Sequence, residues 1–190
     1  MKLAGLIIGL LVLPGVQAGY FAEGDTGNWD FYDRNNASEH YAQLDANSSE
    51  QFYFGAPRLV LYCIQSQGNF GAFVSWNKFI DTTIHPIRLA IDQQPTLLMS
   101  WLAGAEGENS WLPAGRFSSR VLCDEEDCTG ASRISMTRLD LIGEMLKAQS
   151  ISVETTDTEG NSWSAIFAPT GMRMAAKATL GFCGINANAL

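Results

Sequence analysis

From Leu59 onward the chain alternates its side chains with the period of β-structure. Leu59, Leu61 and Cys63 fall on one side of a strand over residues 59–65, and Val60, Tyr62 and Ile64 on the other. Apolar residues on both sides predict a central strand covered on both faces. Gln67, Gly68 and Asn69 read as a turn, after which Phe70, Ala72, Val74 and Trp76 alternate and complete a hairpin. Residues 84–92 read as a third strand with Ile87, Leu89 and Ile91 inward, and residues 97–102 as a fourth. Trp111 and Phe117 fall in short edge segments. Ahead of this block, residues 29–32 read as a first strand. Residues 33–49, rich in Asn, Asp and Ser, read as loop with a short strand at 42–44.

The period changes in the last third. Thr137 followed by Asp140 has the Ser/Thr-x-x-acid form that opens helices, and Leu139, Ile142, Met145 and Leu146 then keep helical spacing. Residues 151–156 and 163–168 form a hairpin around a turn at 157–161. Thr170 caps a second helix, in which Met172, Ala176, Thr179 and Cys183 share one stripe. The pattern predicts an α+β fold: a mainly antiparallel, sandwich-like β core with two short helices in the C-terminal third.

The first residues follow a different logic. Lys2, an apolar run over residues 3–13, the Pro14-Gly15 breaker and small residues at Val16 and Ala18 have the order of a secretory signal, cut after Ala18. The run is too short for a membrane anchor, which needs about 20 apolar residues. Residues 19–28 read as a flexible leader, 29–185 as a single domain and 186–190 as a tail. A periplasmic or secreted location follows, with no membrane insertion after cleavage. The net charge of −8 argues against nucleic acid or anionic lipid as a partner.

Export gives the four cysteines a meaning. An even count in an exported chain predicts disulfides. Of the three pairings, the favoured one joins Cys123 to Cys128 as a local staple and Cys63 to Cys183 across most of the domain. The alternative for Cys63 and Cys183 is a pair of buried free thiols. The run Asp124, Glu125, Glu126 and Asp127 lies inside the short loop. It lacks the alternating acids and the glycine of a calcium loop, so it reads as a solvated acidic turn, available to a basic partner.

Other chemistry is sparse. His40 is placed in a polar loop, and His85 is held extended by Pro86. Neither falls in a Ser/His or Cys/His motif. There is no phosphate-binding glycine loop and no zinc-ligand cluster, so no cofactor or metal is expected. Of five tryptophans, Trp76, Trp101 and Trp163 keep step with apolar neighbours and belong to the core. Trp29 and Trp111 have polar neighbours and are the aromatic candidates for partner contact.

Several segments resemble known families. Arg58-Leu-Val-Leu-Tyr-Cys63, Val74-Ser-Trp76, Ile87-Arg-Leu-Ala-Ile-Asp92 and a Phe167-x-x-x-Gly171 approach to a helix carrying Cys183 are similar to exported accessory proteins of the VasI type, found beside type VI secretion systems. The Cys123-x4-Cys128 loop before a short helix resembles the invasion-associated locus B family of periplasmic proteins. The early cysteine pair of the VasI type has no counterpart in this chain. The resemblance implies an exported accessory domain and supplies no catalytic residues. The expected function is therefore non-enzymatic binding of another envelope or secretion-related protein. The alternatives are an exported hydrolase or hydrolase inhibitor with a loop-built site, and a small-ligand carrier. A deep cleft beside Asp92, Glu154 or His85 would favour an enzyme.

Overall fold

A computed structural model of the chain describes residues 28–35, 38–47, 55–122 and 132–190. The expected signal sequence, most of the expected leader, the expected Cys123–Cys128 pairing and the acidic run at Asp124–Asp127 lie outside the described residues.

Among the described residues, eleven strands form one sheet in which every pairing is antiparallel. They are β1 (Asp30–Arg34), β2 (Glu39–Asp45), β3 (Arg58–Ile64), β4 (Asn69–Ser75), β5 (Ile84–Ile91), β6 (Leu97–Ala103), β7 (Asn109–Trp111), β8 (Arg116–Val121), β9 (Arg133–Thr137), β10 (Ile151–Thr156) and β11 (Ser162–Phe167). The order across the sheet is β1-β2-β3-β4-β7-β6-β5-β10-β11, and β8 and β9 branch from β6 as a ribbon. The sheet curls so far that its two ends approach. The backbone N–H of Asn47, just past β2, donates to the carbonyl of Ile166 in β11 at 2.8 Å. The sandwich-like appearance expected from the sequence is thus one sheet wrapped around its own inner face.

That inner face is the core. β3 is central, between β2 and β4, and is buried on both sides as its composition predicts. Leu59 and Leu61 join Val74, Trp76, Ile87, Leu89, Trp101, Ile151, Val153 and Phe167 inside. Helices α1 (Arg138–Met145) and α2 (Met172–Leu180) close this interior with Leu141, Ile142, Met145, Met172, Ala175, Ala176 and Leu180. α2 lies against β2 and β3.

Both helices start where a physical signal permits. Thr137 caps α1: its hydroxyl accepts from the Asp140 N–H at 3.1 Å, and the Asp140 carboxylate accepts from the Thr137 N–H at 2.6 Å. This reciprocal pair satisfies two N–H groups that have no partner inside the helix. Hydrogen bonding from the Thr137 backbone N–H, with the Thr137 side chain beside it, holds the Asp140 carboxyl below the usual carboxylate range. Thr170 does not cap α2. The cap is Gly171, at φ 80°, where the left-handed backbone favours glycine and no side chain bonds the helix end.

Three further expectations change. His40 lies in β2, not in a loop, because His40, Ala42 and Leu44 alternate inward behind polar ends that disguise a seven-residue strand. Trp29 is 4% exposed and packs in the main core despite its polar neighbours, so it is no surface contact. Residues 186–190 are docked: Ala187 is buried, its carbonyl accepts from Arg173 Nη1 at 3.0 Å, and Leu190 packs against the core.

Candidate functional site

Side chains paired across antiparallel strands share a face, so the register itself builds the outer surface of the sheet. Ile84 of β5 pairs with Leu102 of β6, and Leu102 with Trp111 of β7. Trp111 pairs with Phe73 of β4, and Phe73 with Val60 of β3. One apolar row therefore crosses five strands on the face opposite the core. Two residues further along β3, Tyr62 starts a second row with Tyr41 of β2 and Tyr32 of β1.

The rings in these rows hold one another. Phe73 and Trp111 stack with centroids 4.1 Å apart, Tyr62 meets Trp111 edge-on at 5.0 Å, and Tyr32 stacks on Tyr41 at 4.9 Å. The Arg34 guanidinium lies 5.3 Å from the Tyr32 ring and 5.5 Å from Tyr41. A Cβ at Gly104 would come within 2.9 Å of the Trp111 indole nitrogen, so the indole rests against bare backbone. Burial raises the Tyr41 phenol to about 12, helped by its 2.8 Å hydrogen bond to the charged Glu39. Burial also raises Tyr62 and Tyr32, against the neighbouring arginines. All three phenols remain neutral donors at physiological pH.

Exposure grows along the first row. Val60 and Phe73 are buried, Trp111 is half-buried, and Leu102 and Ile84 are each 51% exposed. These two large aliphatic side chains, adjacent in register and continuous with an aromatic strip, form an exposed apolar patch on the outer face. Trp111, a candidate for partner contact from the sequence, sits at the junction of buried and exposed parts.

The ionisable residues lead elsewhere. His85 and Ser110 are both 0% exposed and form a polar relay. Trp76 Nε1 donates to Ser110 Oγ at 2.7 Å, Ser110 Oγ meets His85 Nδ1, and His85 Nε2 reaches the Asp81 carbonyl at 2.9 Å. With Nε2–H donating to that carbonyl, the Ser110 hydroxyl donates to Nδ1, and every member is satisfied. A catalytic Ser–His pair needs access to substrate and uses a carboxylate to orient the imidazole; this one has a backbone carbonyl and no exposed surface. The relay fastens β5 to β7 and the turn before β5.

Asp92 and Glu154 line shallow depressions. Glu154 lies with Arg88, Ala90, Thr96, Leu122 and Ser152 around a hollow of about 120 Å³. Asp92 borders a wide opening with Gln93, Gln94, Gln149 and Ser150. Its carboxylate is already occupied, accepting from the Gln149 and Ser150 N–H groups at 2.8 Å each. Among the described residues, no group of three His, Cys, Asp or Glu side chains is disposed to hold a metal.

The Cys63–Cys183 bond is present, with Cα atoms 5.8 Å apart. Cys183 lies just past α2, in the short 3-10 turn Gly181–Cys183. His40 pairs with Cys63 across the strands, bonds Asp33 through Nδ1 at 2.8 Å, and stacks under Phe182 with centroids 3.5 Å apart. These residues clamp the 3-10 turn after α2 to the sheet. Compared with known proteins, the chain matches no family model, no curated protein and no solved structure.

Proposed function

We propose that this chain is an exported, non-enzymatic binding module that docks another envelope or secreted protein on the outer face of its sheet. The observation that carries this reading is the register row Ile84–Leu102–Trp111–Phe73–Val60, apolar throughout and half-exposed at its β5–β6 end. Such a row gives a partner a continuous apolar surface with rigid aromatics, which lose little conformational entropy on contact. Export rests on the signal-like order of residues 1–18, and the similarity to VasI-type and locus B accessory proteins over residues 59–183 agrees with a binding role.

The test is position-specific photo-crosslinking in envelope extract. A photoreactive residue at position 84 or 102 should yield one discrete protein adduct. The same residue at Lys177, exposed on α2, should yield none. An adduct formed equally from all three positions, or from 177 alone, would remove the outer face as the docking site.

A further inference from the structure

The outer face carries a further, charged row four residues away from the Ile84–Leu102 end of the apolar one. Arg133 of β9 pairs with Arg120 of β8, Arg120 with Leu98 of β6, Leu98 with Arg88 of β5, and Arg88 with Glu154 of β10. Arg88, Arg120 and Arg133 are exposed, and none joins an ion pair within 4 Å among the described residues. Like charges directly opposite in an antiparallel pair are destabilising, so Arg120 against Arg133 works against the ribbon it belongs to. Three arginines are concentrated here although the chain as a whole carries −8.

We infer that this arginine row recognises carboxylates, and that the segment docked on the outer face is an acidic stretch of protein adjoining an apolar one. The inference rests on the docking face proposed above and adds the partner's chemistry. Ile84 and Arg88 are four residues apart on β5, as are Leu102 and Leu98 on β6, so the two rows lie about 13 Å apart along the strands. An extended segment running with β5 and β6 places apolar side chains over Ile84, Leu102 and Trp111. Its carboxylates then reach Arg88, Arg120 and Arg133, whose guanidinium groups bind carboxylates through paired N–H donors. A protein segment fits better than an anionic membrane. A membrane presents its negative potential to the whole −8 chain, whereas a segment presents its charges only at the row.

The full mature chain is titrated with a labelled peptide, Leu-Val-Leu-Ser-Ser-Glu-Glu-Glu, and with a control carrying Lys for each Glu. The acidic peptide should bind, more weakly as salt rises, and the lysine control should not. Arg120→Gln with Arg133→Gln should weaken binding by about tenfold or more, while the melting temperature stays level or rises as the like-charge pair is removed. Leu102→Ser should weaken binding of both the acidic peptide and the crosslinked envelope protein. Unchanged peptide affinity in the arginine variant overturns the carboxylate reading alone; absence of the position-84 and position-102 adducts in the otherwise native protein overturns the docking face. Binding to phosphatidylglycerol vesicles without peptide binding assigns the row to lipid and overturns the inference. So does peptide binding that appears only after Asp124, Glu125, Glu126 and Asp127 are all neutralised, since the arginines would then serve the chain's own acids.

Discussion

Cys63 in β3 is bonded to Cys183 beyond α2, 120 residues along the chain. The bond holds the 3-10 turn against the sheet and keeps Phe182 on the His40 ring. Closing a loop of this length in the unfolded chain is worth roughly 5 kcal/mol in the chain-entropy model. Cys63→Ala with Cys183→Ala should therefore lower the denaturant midpoint by a large fraction of a domain's total stability. Reductant should lower the native protein's midpoint by at least as much and move the variant far less, since only the short Cys123–Cys128 staple expected from the sequence would be left there to reduce. Equal midpoints for oxidised and reduced native protein would show that the bond carries no such constraint.

Acid should attack the β10–β11 turn. Burial opposes charge on Asp157, but hydrogen bonds from Trp163 Nε1 at 2.8 Å, Asn161 N–H at 2.9 Å and Glu159 N–H at 3.0 Å outweigh it. The folded carboxyl is held well below its usual range. As pH falls, the unfolded chain protonates this group first, so the stabilisation is complete above about pH 4 and drains away below it. Asp157→Asn removes the titration. Urea midpoints measured from neutrality down to about pH 2 should fall less steeply in the variant. Parallel slopes would contradict the assignment.

Local pattern was enough for the elements that bury one face or two. The β3–β4 hairpin, β5, β6, the β10–β11 hairpin and the Thr137-capped helix all follow from alternation, helical spacing or a cap within a few residues. The stripe that put Cys183 with Met172, Ala176 and Thr179 pointed to its partner, although the helix ends before it. What escaped depends on distant chain. β9 is a short strand with three exposed residues, held by pairing to β8 across the acidic connection, and nothing within Arg133–Thr137 announces it. Trp29 is buried by strands its own neighbours do not specify. The apolar row on the outer face is illegible for the same reason: Ile84, Leu102 and Trp111 come together only through register, and their local patterns read simply as strand.

The buried relay should prove structural when Ser110 is cut back. Ser110→Ala removes the hydroxyl that His85 Nδ1 shares with the Trp76 indole N–H and leaves that Nδ1 unsatisfied where water does not reach. An unsatisfied buried polar group costs about 1–3 kcal/mol. Chemical denaturation should register a loss in that range, and crosslinking from position 102 should be unaffected once the variant is folded. A folded Ser110→Ala protein of unchanged stability would mean the relay is dispensable, and the pair would have to be reconsidered as a site.

The two faces of the sheet should answer differently to the same kind of change. Leu61 and Leu102 are both strand leucines, but Leu61 is fully buried on the inner face and Leu102 is half-exposed on the outer one. Leu61→Ala opens a cavity in the core between Ala42 and Ala72, its partners on the flanking strands, and should cost about 2–5 kcal/mol. Leu102→Ser removes apolar surface that water already reaches, so stability should move by no more than about 0.5 kcal/mol. On the proposed docking face such a side chain serves the partner more than the fold. Leu102→Ser should therefore lose the partner adduct seen from position 84 while unfolding at the native denaturant midpoint. If instead it unfolded as readily as Leu61→Ala, the outer row would be a second core layer, and the docking face would have to be sought elsewhere on the molecule.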